Sequence, residues 1–199
     1  MSANVFKFNG HEFPVAHARL SASLADPVWC DQCNKGAGKA LSWSLELEAD
    51  EREVNGDLIA PSIDINDLPI TPKSWPELAG QSAEWHTPLR PETGDRYGMT
   101  YVWDHKLIRE AKVSIGRRDG LCFQVSVEGA SEEGEEFRVQ AEAPFTGVQV
   151  HFSGADTAES VIARLALVLD TSSLQPGPFK TNRAKYNAGY RQFTPKAET

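Results

Sequence analysis

The sequence predicts an α+β fold that is mainly antiparallel β, either a sandwich or a curved sheet, with one C-terminal amphipathic helix packed on the sheet. Three observations lead to this prediction. Apolar and polar residues alternate with a period of two over residues 41–48 and again over 113–152, while apolar residues recur at helical spacing over 161–169. With 199 residues, 40% of them hydrophobic and 24% charged, the chain is long enough for one packed core.

The clearest strand of the N-terminal half covers residues 41–48. Its apolar positions are Leu41, Trp43, Leu45 and Leu47. They alternate with serine and glutamate, which directs one set to the core and the other to water. Asn55-Gly56 then supplies residues that tolerate positive φ in a tight turn, and the isoleucines around Pro61 indicate a returning strand. The two segments predict an antiparallel pair.

A meander of three strands is predicted between residues 111 and 153. The first strand leads into a turn at Gly116–Gly120, and the second is predicted to place Leu121 and Phe123 on one face. Each strand has one polar face, which is typical of an antiparallel sheet that is covered on one side only. The prediction buries a defined set of side chains: Trp43, Phe123, Val125, Phe137, Val139, Val150 and Leu165.

One helix is predicted near Thr157 to Asp170. Asp156 stands three residues before Glu159, which is the spacing of a capping box with Asp as the capping residue. Val161, Leu165 and the apolar residues between them and Leu169 recur at helical spacing, so they form one stripe that packs on a sheet.

The chain divides into a single β-rich domain, residues 1–172, and a C-terminal tail, residues 173–199. Within the domain, residues 71–96 are rich in proline and contain two tryptophans, which predicts an ordered loop packed on the body. The tail has five basic residues and one acid, with interleaved aromatics. That pattern leaves three alternatives: contacts with nucleic acid, with a partner protein, or with the acidic surface of the same chain.

Composition excludes some classes of partner. The net charge is -8 and the pI is about 5.2, which disfavours nucleic acid and anionic membrane and favours a basic protein partner. No stretch has the length of a membrane span, and the first residues do not have the pattern of a signal peptide. Three cysteines are too few for a disulfide scaffold, so we expect a cytoplasmic protein.

The stretch WCDQCNKGAGKALSWS contains Cys30 and Cys33 in a C-x-x-C arrangement. A phosphate-binding loop is excluded, because Cys33 occupies the place of its first glycine. The residues that follow resist helix formation, which disfavours a redox pair. The turn resembles the knuckle of zinc-ribbon sites, with His17 and His11 as the nearest further ligands and Cys122 or His105 as others. The alternatives are a structural zinc ion and no cofactor, with two thiols in a loop.

Catalytic signatures are absent from the sequence. There is no G-x-S-x-G motif, and His11-Glu12 is not followed by a second histidine at metalloprotease spacing. His86 and His105 each stand near an acid and a tryptophan, which is compatible with a general base in a small-molecule enzyme. A histidine that only stabilises a loop is the commoner case.

Acidic residues are concentrated in two stretches. Residues 40–70 contain eight acids and one base, and the SEEGEE loop adds four acids. The residues predicted to bind a partner are Glu46, Glu48, Asp50, Glu51, Glu53, Glu132, Glu133, Glu135 and Glu136. Clustered acids often serve solubility alone, but they also steer a cationic partner.

In size and composition the chain resembles the immunity proteins with which bacteria neutralise cationic toxins. The resemblance implies a non-enzymatic protein-binding domain that acts through its acidic surface. The alternatives are an enzyme that uses His86 or His105 and a zinc-stabilised accessory protein.

Overall fold

The computed structural model describes residues 4–26, 41–91, 94–152, 156–182 and 188–196. Its strands are β1 (Val5–Phe8), β2 (His11–Leu24), β3 (Leu41–Ala49), β4 (Arg52–Val54), β5 (Asp57–Ile59), β6 (Ser62–Ile65), β7 (Ser82–Trp85), β8 (Gly98–Tyr101), β9 (His105–Asp119), β10 (Cys122–Ser131), β11 (Glu136–Phe152), β12 (Leu174–Asn182) and β13 (Ala188–Pro195). The helices of these residues are α1 (Ala158–Ala166) and a 3-10 helix (Trp75–Leu78). The structure confirms the mainly antiparallel α+β fold.

The main sheet closes on itself. Its strands pair in the order β2, β3, β6, β8, β9, β10 and β11, and β11 pairs again with β2. Among the described strands, all pairings are antiparallel apart from that of β11 with β2, which is parallel. β1 lies between β2 and β11 at one end of the closure, and β7 adds to β9. β4 and β5 form a separate hairpin whose turn is the predicted Asn55-Gly56.

Large aromatic side chains fill the interior of the closed sheet. Trp75 stacks on Phe145 with 5.4 Å between ring centroids and meets Phe123 edge-on at 6.2 Å. Trp43 lies 6.0 Å from the same Phe145 ring. The 3-10 helix carries Trp75 into this cluster, and Trp85 of the same proline-rich segment is also buried. All seven side chains predicted to be buried are at most 3% exposed, so the predicted inner faces are confirmed.

The start of α1 differs from the prediction by one residue. Thr157 is the N-cap, and its Oγ1 accepts the backbone N–H of Ser160 at 3.2 Å. Ser160 Oγ accepts the N–H of Thr157 at 2.9 Å, which completes a reciprocal capping box. The predicted box of Asp156 and Glu159 is therefore wrong, because the Thr and Ser hydroxyls satisfy both N–H groups. Asp156 instead accepts a hydrogen bond from Ser160 Oγ at 3.1 Å.

The end of α1 is also earlier than predicted. The helix stops at Ala166, and the N–H groups of Val168 and Leu169 both donate to the carbonyl oxygen of Leu165 at 3.0 Å. This tight turn lets Leu169 enter the core without four more helical residues. Asp170, the predicted last residue, donates its N–H to the carbonyl of Lys73.

The turn between β9 and β10 lies later than predicted. β9 continues through Gly116 to Asp119, and the reversal occurs at Gly120, whose φ is 56°. Opposite Gln124, the pairing of β9 with β10 shifts register around Gly116, so the strand continues past this glycine as a bulge. Leu121, predicted to face inward with Phe123, is in the turn and is exposed.

The described part of the predicted tail belongs to the sheet. β13 pairs with β11 from Val148 to Phe152, and β12 pairs with β13. β11 and β2 separate this hairpin from β3, so its described residues do not cover the acids of β3. Leu174 and Phe193 of the hairpin are buried in the common core.

Candidate functional site

The outward side of β2, β3, β6, β8 and the start of β9 carries acids predicted to bind a partner, and we call it the acidic face. Glu46 and Glu48 point outward because Leu45 and Leu47, which alternate with them, are fully buried. The pairing of these strands aligns two rows of side chains across the face. The first row contains Arg19, Glu46, Asp64, Met99 and Leu107. The second row contains His17, Glu48, Ser62, Tyr101 and His105.

Asp64 lies among the acids of this face. Burial is the largest cause that raises the pKa of its carboxyl group, and the negative charges of Glu46 and Glu48 raise it further. His105 and Arg19 oppose these effects. Arg19 Nη2 donates to both carboxylate oxygens of Glu46 at 2.5 Å. Among the described residues, neither Glu48 nor Asp64 forms an ion pair, so their charges remain available to a partner.

Asp50, Glu51 and Glu53 extend the acidic face beyond β3. All three are exposed. The base between them, Arg52, donates from Nη1 to the carbonyl oxygen of Glu12 at 2.6 Å. This bond directs the guanidinium toward β2, so the three acids face solvent beside a cation that is already bonded to the backbone.

The acids of the loop between β10 and β11 mostly bind their own chain. Glu133 and Glu135 form ion pairs with Lys106 at 2.6 and 3.2 Å, and their hydrogen bonds raise the pKa of that ammonium group. Glu132 Oε1 accepts a backbone N–H of β9 at 3.2 Å. Glu136 is exposed on β11. Three of these four predicted residues therefore stabilise the turn, and sequence spacing alone does not reveal Lys106 as their partner.

The outward side of β7, β9, β10, β1 and the first half of β11 has a different charge pattern, and we call it the ladder face. Register aligns one row of charges across it. The row is Glu84, Lys112, Glu128, Arg138, Lys7 and Glu12. Arg138 Nε donates to Glu128 at 2.7 Å, and Lys7 forms an ion pair with Glu12. Acids and bases of this face therefore neutralise one another.

The two histidines considered as general bases lie on different faces. His86 is at a groove of about 480 Å³ on the ladder face, and its Nε2 lies 3.3 Å from Glu84 Oε1. His105 is on the acidic face, where its ring lies 4.8 Å from that of Tyr101. Both side chains are exposed, so neither is held in a dry site where a general base is most effective.

Of the four residues predicted to bind zinc, the structure describes the two histidines. Cys30 and Cys33 lie outside the described residues. His11 and His17 are both exposed on β2, six positions apart, which corresponds to roughly 20 Å along a strand. A zinc ion at the cysteines could thus take only one of these histidines. Within the described residues, no group of three or more His, Cys, Asp or Glu side chains is arranged to hold a metal ion. The structural zinc remains a prediction.

The basic and aromatic side chains of β12 and β13 contact one another. The Arg191 guanidinium lies 4.8 Å from the centroid of the Phe179 ring, and its Nε donates to the carbonyl of Gly177 at 2.9 Å. Lys180 Nζ lies 5.5 Å from the centroid of Tyr190. These cations are partly satisfied within the hairpin, which weakens the nucleic-acid alternative for this segment.

Sequence reasoning missed the residues between the acids and the tip of the β8–β9 hairpin. They are Asp64, Met99, Tyr101, Trp103 and Leu107. The available signal was the alternation of the large side chains Met99 and Tyr101 with the small residues Gly98 and Thr100, which are buried. This alternation indicates that Met99 and Tyr101 share the outward face of the strand. Only the register of β6, β8 and β9 places that face beside the acids.

Comparisons of this chain with protein-family models, curated proteins and solved structures find no match. Any assignment of function therefore depends on the geometry of the faces described above. None of the helices in the described part of the chain is long and apolar enough to cross a membrane.

Proposed function

We propose that this chain is a non-enzymatic protein-binding domain of the immunity type, which neutralises a cationic toxin or effector in the cytoplasm through its acidic face. The observation that supports this proposal is that the two faces differ in how far their acids are paired with bases. On the ladder face, each acid of the charged row lies directly opposite a base of a neighbouring strand. On the acidic face, Glu48 and Asp64 have no ion-pair partner among the described residues.

An unpaired acidic surface favours encounter with a cationic protein. Charges at the rim of an interface act mainly on the association rate, and steering of this kind raises that rate by roughly 10- to 1000-fold. Glu48, Asp50, Glu51 and Glu53 are exposed and adjacent in the chain, so they present charge without a conformational change. The enzymatic alternative, which uses His86 or His105, has less support, because both side chains are exposed and neither lies in a dry site.

The test uses two double variants that change the net charge equally. Glu48→Lys with Glu53→Lys reverses charge on the acidic face. Asp119→Lys with Glu142→Lys reverses two exposed acids at the strands of the ladder face and serves as the control. Each protein is used as bait in an extract of its source cells, and the association rate of the captured protein is then measured by stopped flow at two salt concentrations.

We expect the wild type and the control to capture a basic protein that the acidic-face variant loses. With the purified partner, the acidic-face variant should associate about tenfold more slowly and with a weaker dependence on salt. A partner without excess positive charge, or equal association rates for the two variants, would reject the proposed function.

A further inference from the structure

The β8–β9 hairpin carries exposed aromatic side chains and two half-buried apolar ones at the edge of the acidic face, and we call this group the aromatic patch. Its members are Met99, Tyr101, Trp103, His105 and Leu107. Trp103 is 63% exposed and Tyr101 is 40% exposed. The tryptophans of the core, by contrast, are almost completely buried. Exposed aromatic and methionine side chains that lie together are typical of the centre of a protein interface.

The register of the hairpin makes the patch continuous. Met99 is paired with Leu107 and Tyr101 with His105, and both pairs lie on the outward side of the sheet. Trp103 is in the turn that joins the two strands. The two most exposed leucines of the described residues, Leu58 and Leu167, lie on β5 and directly after α1, so they do not contribute to this hairpin.

Two carboxylates border the patch, Asp64 on β6 and, one strand further, Glu48, which is aligned with Tyr101 through Ser62. Asp64 is paired with Met99 and is therefore a diagonal neighbour of Tyr101, a separation that long side chains reach. The lysine of the hairpin does not offset this charge, because Lys106 is only 16% exposed and binds Glu133 and Glu135. A ligand at the patch thus meets aromatic rings and negative charge together.

Aromatic rings combined with carboxylates select arginine over lysine. A planar guanidinium stacks on a ring and donates two parallel hydrogen bonds to a carboxylate, which an ammonium group cannot do. The same chain contains this combination internally. The Arg90 guanidinium lies 4.9 Å from the Tyr97 ring centroid, and its Nη2 lies 3.8 Å from Asp67 Oδ2.

We propose that the aromatic patch is the centre of the partner interface, and that it receives an arginine side chain of the cationic partner between the rings of Tyr101 and Trp103 and the carboxylates of Asp64 and Glu48. This inference rests on the proposed function, and it adds the chemistry of the partner's anchoring residue. Charge complementarity with the acidic face favours this occupant, and the exposed cation that follows the patch on β9, Arg109, forms an ion pair with Glu110 at 2.7 Å.

The test compares two fluorescently labelled peptides of equal charge, a nine-residue arginine peptide and a nine-residue lysine peptide, by fluorescence anisotropy at low salt. The wild type should bind the arginine peptide more tightly. Trp103→Ala should weaken that binding by roughly 2- to 30-fold and reduce the preference for arginine, while binding of the lysine peptide changes little. Trp103→Phe should restore part of the preference, and Leu167→Ala should leave both affinities unchanged.

The outcomes separate the two proposals. If Glu48→Lys with Glu53→Lys weakens both peptides but Trp103→Ala leaves the arginine preference intact, the proposed function stands and this inference is rejected. If Trp103→Ala removes the preference while the charge reversal has no effect, the acidic-face proposal fails, and the assignment of Glu48 to the arginine fails with it. Failure of the wild type to bind either peptide rejects both. Self-association of the wild type that Trp103→Ala abolishes would assign the patch to a contact between two copies and overturn the inference.

Discussion

Asp64 shows how a single side chain on the acidic face affects the stability of the fold. Burial, together with the neighbouring Glu46 and Glu48, raises the pKa of its carboxyl group in the folded protein. The folded state therefore keeps this proton to a higher pH than the unfolded chain does. The free energy of unfolding consequently falls as pH rises from the unfolded pKa of Asp64 through its folded pKa.

Asp64→Asn should remove this penalty. At pH 7 we expect the variant to be more stable than the wild type by on the order of 0.5 kcal/mol, as is usual for a change near the surface. At about pH 3, below the ordinary aspartate pKa of about 3.9, the difference should become small because both proteins are then largely neutral at this position. Urea unfolding at the two pH values measures the effect.

Asp57→Asn is the matched control, since Asp57 is exposed on the β4–β5 hairpin and lies outside the paired rows of the acidic face. Its stability should follow the wild type at both pH values. A wild type that is more stable than Asp64→Asn at pH 7 would show that Asp64 makes a favourable ionic contact, contrary to this account.

The outward direction of single side chains was predictable where strands alternate strictly. Glu46 and Glu48 follow from the buried residues on either side of them. The ion pair of Glu133 was not predictable, because its partner Lys106 is distant in sequence and comes close to Glu133 only when β9 and β10 pair. The same holds for the aromatic patch, whose place beside Asp64 depends on the register of β6 with β8.

At the scale of the elements, β11 depends on one glycine. The strand pairs with β10 in its first half and with β13 in its last five residues, and Gly147 precedes the second part. Its φ is 115°, and a Cβ atom there would lie 2.1 Å from the carbonyl oxygen of Phe193. Only glycine both adopts this conformation and permits the close approach of β13.

Gly147→Ala should therefore destabilise the protein for two reasons. Backbone strain alone costs about 1–3 kcal/mol, and the clash with Phe193 displaces β13 in addition. Gly134→Ala isolates the first cause, because Gly134 has a φ of 85° but nothing within 4 Å of the added Cβ. Urea unfolding should show a clearly larger loss for Gly147→Ala. Equal losses for the two variants would mean that β13 does not approach β11 as closely as described.

Strands with strictly alternating apolar and polar residues could be predicted from the sequence. A strand that contains prolines, and a helix whose apolar pattern continues beyond its end, could not. β3, β10 and β11 follow from alternation alone. β12 contains Pro176 and Pro178, which obscure its strand signal, and it lies at an edge of the sheet where proline is tolerated. The end of α1 was misplaced because Val168 and Leu169 continue the helical stripe although they belong to a turn.

For the whole molecule, the closed sheet divides the side chains of each strand between the interior and the outer surface. The interior takes the large apolar side chains of every strand in the ring, so the outer surface is left to carry the polar residues. The acidic face centres on β3, β6 and β8 and the ladder face on β7, β10 and β11, so the residues reversed on the two faces lie on different strands. The acidic face and the ladder face can therefore be altered independently, which the paired charge-reversal variants require.

The C-terminal hairpin tests whether residues 173–199 are separate from the body. Deletion from Leu174 onward removes the buried Leu174 and Phe193 and uncovers the edge of β11 from Val148 to Phe152. Losses of about 2–5 kcal/mol for each buried side chain approach the total stability of a domain, about 5–15 kcal/mol. We expect the truncated protein to lose cooperative thermal unfolding and to aggregate through the open strand.

A chain that ends at Lys196 is the control, because it keeps the hydrogen bond from the Lys196 N–H to the carbonyl of Ser173, and its unfolding should match that of the full chain. Full retention of cooperative unfolding after deletion from Leu174 would instead identify the segment as an appendage of an independent domain.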